Sequence, residues 1–277
     1  MKQSIIFTLL GTGSSGGVPR VGNQWGVCDP SNPRNRRRRC AMLIQLNDLE
    51  QERATTVLID AGADLREQLL SAQVSHLDAV LLTHSHADHI FGLDDLRQLA
   101  LSMRSPIPVY MDNATSSMVM QAFNYIFRQA PNSSFPAFCT HGTIEHDQLI
   151  PIKGDAGNLT VKPLVAEHGD IHSLGFRIGN VAYLPDVKRV SDQASLKTLE
   201  GLDVLILDTL RYKTHPAHMN LEESLAFIKQ MAPKRAVLTN LHSDLDYETL
   251  LKELPENVTP GFDGLQITHV FDTQASD

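Results

Sequence analysis

Short apolar runs, each stopped by glycine, proline or a polar cluster, recur along this chain, and most are too short for helices. They predict strands at Ser4 to Leu10, Ala41 to Leu46, Thr55 to Ile59 and Ala79 to Leu82. A helix is expected over Leu65 to Ala72. A second runs from Leu93 to Ser102, with Leu93, Leu96, Leu99 and Ala100 spaced as one core face. Pro106 to Tyr110 reads as an edge strand entered by proline, and Asn113 as the cap of a helix reaching Phe127. Gln129 to Gln148 reads as loop, with His141 and His146 as surface residues. In the second half, strands are predicted at Leu159 to Ala166, Leu174 to Ile178, Val181 to Leu184, Val204 to Leu207, Ala236 to Leu238 and Leu265 to Val270. Helices are predicted at Leu221 to Met231 and Tyr247 to Leu254. Strand blocks with interleaved helices in two halves predict a layered α/β domain with polar groups along one rim.

The chemistry sits where these strands stop. Ala79 to Leu82 runs straight into Thr83-His84-Ser85-His86-Ala87-Asp88-His89. Three imidazoles and a carboxylate within six positions, with no cysteine, favour zinc, manganese or iron over calcium or magnesium. Later strands place His168, Asp186 and Asp208 beyond their ends, and Ala236 to Leu238 leads into Thr239-Asn240-Leu241-His242. Taken singly, His168, Asp186 or His242 reads more readily as structural. The first strand ends in Gly11-Thr12-Gly13-Ser14-Ser15-Gly16-Gly17, which is neither a P-loop nor a dinucleotide fingerprint and serves equally as a tight turn or as a substrate-facing loop. In Arg34-Asn35-Arg36-Arg37-Arg38-Arg39, one or two arginines suit a phosphate ester, although for each of them a solvated loop is the simpler reading.

Composition narrows this picture. At 277 residues, 42% hydrophobic and 20% charged, the chain is ordinary for a soluble protein with a sizeable core. Its formal charge of −8 disfavours unspecific binding to nucleic acid or anionic membrane. No apolar run approaches the ~20 residues that span a bilayer, and the N-terminal run is too short for a signal peptide, so a cytoplasmic protein is expected. Cys28, Cys40 and Cys139 form no Cys-x-x-Cys pair and indicate no disulfide framework.

Thr83 to His89, taken with Glu167-His168-Gly169, Pro185-Asp186 and Leu241-His242, resembles the metallo-β-lactamase superfamily over nearly the whole chain. The resemblance implies a four-layer αββα sandwich, a single domain over 1–277, and two divalent metals, zinc or manganese. His84, His86 and His168 would hold one ion. Asp88, His89 and His242 would hold the second, with Asp186 bridging. Such a pair lowers the pKa of the water it bridges, so hydroxide is available near neutral pH as the nucleophile, oriented by Asp88.

Gly11 to Pro19, Asn35-Arg36-Arg37, Gly261-Phe262-Asp263-Gly264, and Asp208 followed by His215-Pro216-Ala217-His218 resemble the PhnP-type phosphoribosyl cyclic phosphate phosphodiesterases. They are shared in part with transfer-RNA 3′-processing enzymes. This branch implies hydrolysis of a small phosphodiester, a cyclic phosphate or nucleotide-like ester, with His218 as general acid. His215, three residues away, competes for that role. Ser14, Ser15, Arg37 and His215 are the candidate substrate contacts.

Two departures stand out. Cys28 keeps only one thiol where that branch can carry a cysteine-held structural zinc, and Thr239-Asn240-Leu241-His242 breaks the usual Thr-His frame, so His242 must reach from two positions further on. The alternatives are a transfer-RNA-processing endoribonuclease, with RNA as partner, and a noncatalytic metal- or ligand-binding protein of the same fold. A homodimer is compatible with either.

Overall fold

The computed structural model describes residues 2–272. Its first half supplies strands β1 (Lys2–Gly11), β2 (Ala41–Asp48), β3 (Arg53–Ile59), β4 (Ala79–Leu81), β5 (Ile107–Met111) and β6 (Cys139–Thr143). Helices α1 (Leu65–Ser71), α2 (Ala87–Ile90), α3 (Leu96–Met103) and α4 (Asn113–Phe127) lie between them. The second half supplies β7 (Ile150–Gly154), β8 (Gly157–His168), β9 (Ile171–Ile178), β10 (Val181–Leu184), β11 (Val204–Asp208), β12 (Arg235–Thr239) and β13 (Val258–Pro260). With it come α5 (Gln193–Thr198), α6 (Leu221–Met231) and α7 (Tyr247–Glu253), before β14 (Gln266–Asp272) returns to the first sheet. The sheet orders are β14-β1-β2-β3-β4-β5-β6 and β13-β12-β11-β10-β9-β8-β7.

Alternation along the strands explains the layering. Val57, Ile59, Ala79, Leu81, Ile206 and Val237 point into the core between the two sheets. Their neighbours Leu58, Val80 and Leu82 pack outward beneath the helices of the first half. Leu205, Leu207, Ala236 and Leu238 do the same beneath those of the second. Both faces of each central strand are thus buried, which is why these runs read as continuous apolar stretches. The result is the expected αββα sandwich. Strands β3 to β6 run parallel, as do β10 to β13, so each block directs its carboxyl ends, and the polar residues beyond them, toward one rim.

Several elements differ from the sequence reading. The strand at Ile107 is interior, because β6 forms in the stretch expected to be loop and takes the edge beyond it. That strand is short and largely exposed, so it lacks the apolar alternation that marks a buried one. The cap of α4 is Asp112, whose carboxylate accepts from the Thr115 amide at 2.8 Å, and not Asn113. The helix expected from Leu93 opens as a 3-10 turn over Leu93–Asp95. Strands β7 and β13 and helix α5 carried no sequence signal strong enough to be read. Among the described residues, no helix is long and apolar enough to cross a membrane.

Candidate metal centre

His84 lies just beyond β4, and α2 begins three residues later with His86 as its N-terminal flank. Buried Leu82 and Ile90 anchor either side of the turn. Its close packing needs Gly62, where a Cβ would fall 1.9 Å from the Asp88 carbonyl oxygen. From the second sheet, His168 ends β8, Asp186 follows β10, and Asn240 follows β12 in the left-handed conformation at φ 60°.

Three imidazoles converge. His84 Nε2 is 2.9 Å from His86 Nδ1, and His168 Nε2 is 3.2 Å from that same atom. Their far nitrogens fix the tautomers. His168 Nδ1 donates to the Ala217 carbonyl at 2.8 Å, which leaves Nε2 as a lone pair. Thr83 Oγ1 donates to Asp60 and accepts from His84 Nδ1 at 3.0 Å, leaving Nε2 of His84 free as well. Burial holds His84 well below the ordinary histidine range and lowers His168 too, so both are neutral donors. A single His86 proton cannot satisfy two facing lone pairs, whereas a cation satisfies all three rings.

Asp60 also orients the neighbouring ring. Its Oδ2 takes the His89 Nδ1 proton at 2.7 Å, which aims His89 Nε2 at Asp186 Oδ2, 3.1 Å away, and at Asp88 Oδ2, 3.4 Å away. Burial works against charge on His89, but Asp186 and Asp60 hold it well above the ordinary range. Asp186 Oδ2 is buried and has no hydrogen-bond partner of acceptable geometry. An orphaned carboxylate oxygen facing an imidazole nitrogen marks a place where positive charge is wanted, and the residues fit a divalent ion. His84, His89 and Asp186 form one compact donor group, His84, His86 and His168 a second, and His168, Asp186 and His218 a third.

His218 joins the edge of this centre. Its ring lies 4.6 Å from that of His168, and its Nδ1 is 2.7 Å from Asp208 Oδ2 and 3.6 Å from Asp186 Oδ1. Burial opposes its charge, yet Asp208 and then Asp186 push its pKa up to about 9. His215 stacks beside it at 5.1 Å, its Nδ1 accepting from the Ala217 amide. A cleft of about 730 Å³ opens beside His84 and Ser85, lined also by Asn113, Met118, His146 and Ile171.

Other expected site residues stand elsewhere. His242 belongs to none of the donor groups found among the described residues. The strand ends at Thr239, and the left-handed Asn240 breaks the alternation that would have turned His242 inward. Its ring Nδ1 is held by Asp244 at 2.7 Å instead. Asn240 takes the inward position, with Nδ2 3.3 Å from Asp186 Oδ1 and 3.0 Å from Asp208 Oδ1.

Arg37 is 2% exposed and its guanidinium reaches the His242 carbonyl, Asn35 and Cys28, so it braces the loop against β12's outgoing segment. Ser14 is buried with its amide on Leu241, while Ser15 is exposed and accepts from Arg39 through its carbonyl. The glycine loop is required by packing, since a Cβ on Gly11 would lie 1.9 Å from the Arg39 carbonyl oxygen. Asp60 and Thr83 were missed as ligand-orienting residues, although Asp60-Ala61-Gly62 at a strand end was a visible signal.

A face-to-face αββα sandwich with imidazoles and carboxylates gathered at one rim defines a class of metal-binding hydrolases. Residues 55–240 match the beta-lactamase superfamily domain, and the chain belongs to that superfamily. It is PhnP-like within it. The crystal structure of a new diphosphatase from the PhnP family superposes with a TM-score of 0.83 at 32% identity, covering 98% of this chain and 99% of that one. An octanoyltransferase of Porphyromonas gingivalis (strain ATCC BAA-308 / W83) is 35% identical over 265 residues, 93% of this chain and 50% of that protein. This chain therefore spans only half the length of that relative. The short form of human tRNase Z shares the fold, with a TM-score of 0.63 at 20% identity over 95% of this chain and 98% of that one.

Proposed function

We propose that the protein is a metal-dependent hydrolase of small phosphodiesters or related phosphate anhydrides. The pairing of His218 with Asp208 beside the donor cluster carries this reading. A phosphodiester expels an alkoxide, which leaves poorly unless protonated. With Nδ1 engaged by Asp208, His218 gives up its Nε2 proton to that leaving oxygen, and its raised pKa keeps it in the acid form. His84, His86 and His168 would hold one divalent ion, zinc or manganese, and His89 with Asp88 and Asp186 would hold a second. The metals, when bound, make hydroxide available near neutral pH and offset negative charge on the phosphoryl oxygens. The 32% identical diphosphatase relative supports phosphate chemistry over acyl transfer.

An endoribonuclease of the transfer-RNA-processing kind is the weaker reading, because the arginine run is engaged within the fold. Protein loaded with manganese or zinc should hydrolyse bis(p-nitrophenyl) phosphate, a 2′,3′-cyclic nucleotide or a diphosphate diester, and not a thioester. His218→Ala should lower turnover roughly 10²–10⁴-fold while metal content stays the same. Absence of phosphate-ester turnover in the loaded protein would refute the proposal.

A further inference from the structure

The donors around Asp186 are unevenly shared. On one side stand His84, His86 and His168, whose two fixed tautomers present lone pairs toward the third ring. On the other stand one imidazole, His89, and the carboxylates of Asp88 and Asp186, while His218, which also groups with Asp186, has its Nδ1 engaged by Asp208 at 2.7 Å. Beside Asp186 on this side stands Asn240, 2% exposed, held by a left-handed backbone turn and 3.0 Å from His218 Nδ1. Its amide nitrogen faces two carboxylate oxygens, Asp186 Oδ1 at 3.3 Å and Asp208 Oδ1 at 3.0 Å, so the amide acts there as a hydrogen-bond donor. A neutral amide nitrogen has no lone pair for a metal, and its N–H groups compete with an ion for Asp186. Asp208 cannot relieve the deficit, because its oxygens also accept from His218 and from the Val187 amide.

We infer that Asn240 makes the two halves of the metal centre unequal: the His84, His86 and His168 half, with Asp186, binds one ion tightly, while the Asp88 and His89 half binds a second weakly. This rests on the metal-dependent reading above and adds a stoichiometry and an order of filling to it. Two carboxylates and one imidazole also make the second position oxygen-rich, so it discriminates less against manganese than the three-imidazole position does.

The test is zinc titration of the chelator-stripped protein against a chromophoric competitor. One equivalent should bind at least roughly 100-fold more tightly than the second, the upper end of what losing even an outer-shell partner of a ligand costs. Asn240→His should strengthen the second step by roughly 10-fold or more and leave the first unchanged. His242→Ala should alter neither.

Two equivalents of indistinguishable affinity in the unmodified protein would overturn the inference, as would loss of the second step in His242→Ala. The wild-type titration decides the matter even if Asn240→His fails to fold. Turnover of bis(p-nitrophenyl) phosphate by the same samples separates the two claims. Unequal binding without turnover sinks the phosphodiesterase reading alone, and turnover with two equal sites sinks the inequality alone.

Discussion

Asp60 is fully buried and spends both oxygens on the metal centre, one on the Thr83 amide and hydroxyl and the other on the His89 ring. Asp60→Asn keeps the shape but sets an amide N–H against one of these donors, so either Thr83 or His89 loses its orientation. We expect metal affinity to fall roughly 10–100-fold, read by competition with a chelator, with little change in secondary structure by circular dichroism. Unchanged affinity would mean that the imidazoles hold their aim without it. The same residue shows what the sequence made legible. The density of His84, His86 and His89 after β4 was visible in the sequence alone, whereas His168 and Asp186 were joined to them only by the family resemblance; the structure gathers all five into compact donor groups. Asp60 and Asn240 act through hydrogen bonds to those residues, and residue type does not distinguish such a carboxylate or amide from an ordinary turn. His242 entered through the resemblance, as a residue that had to reach from two positions further on; it stands in none of the donor groups among the described residues, and the left-handed Asn240 lies between it and the strand end.

Helix α7 is held by its first turn to a distant loop. The Asp246 carboxylate caps it at the Thr249 amide, 3.0 Å away, and also accepts from the Asn35 side chain at 2.7 Å and the Asp29 amide at 3.2 Å. Burial resists ionisation of Asp246, but these hydrogen bonds together hold it below the ordinary carboxylate range. The stability it contributes is therefore complete above about pH 3.9 and is lost as the pH falls through the lower folded value. Asp246→Ala should cost about 1–2 kcal/mol in urea unfolding at pH 7, and the gap from wild type should narrow steadily below about pH 3.9. Asp246→Asn, which retains a cap, should recover part of the loss at pH 7 and show less dependence on acid. A gap that stays constant to low pH would rule out the charged carboxylate as its source. Elements such as β4, β11 and β12 were legible because burial on both faces makes them uniformly apolar. Strand β6 was not, since it lies at an edge with Thr140 and His141 exposed. Its existence follows from pairing with β5, a long-range property that a local window does not contain.

Across the whole molecule, the arginine run, which suited a phosphate ester or a solvated loop, is largely engaged with other parts of the fold. Arg34 stacks over Tyr247 and Phe262 at 4.9 and 5.1 Å, and Arg36 over Trp25 at 5.4 Å. Arg38 pairs with Asp263 at 3.1 Å, and Arg39 with Asp64 at 2.9 Å. With Arg37 buried, Arg38 and Arg39 in ion pairs and the net charge at −8, Arg34 and Arg36 are the exposed arginines of the run left to displace counterions from a polynucleotide. Two phosphate contacts on a single strand would give a log–log slope of about −1.4 against salt, and four would double it. We therefore expect binding of a transfer-RNA precursor to be weak, with a slope no steeper than about −1.5 by fluorescence anisotropy. Arg39→Ala should lower the melting temperature, through loss of the Asp64 and Ser15 contacts, and leave that slope unchanged. A slope near −4 that Arg39→Ala makes shallower would show that the run leaves its internal partners for RNA, and would favour the endoribonuclease over the small phosphodiester as the assignment of this metal centre.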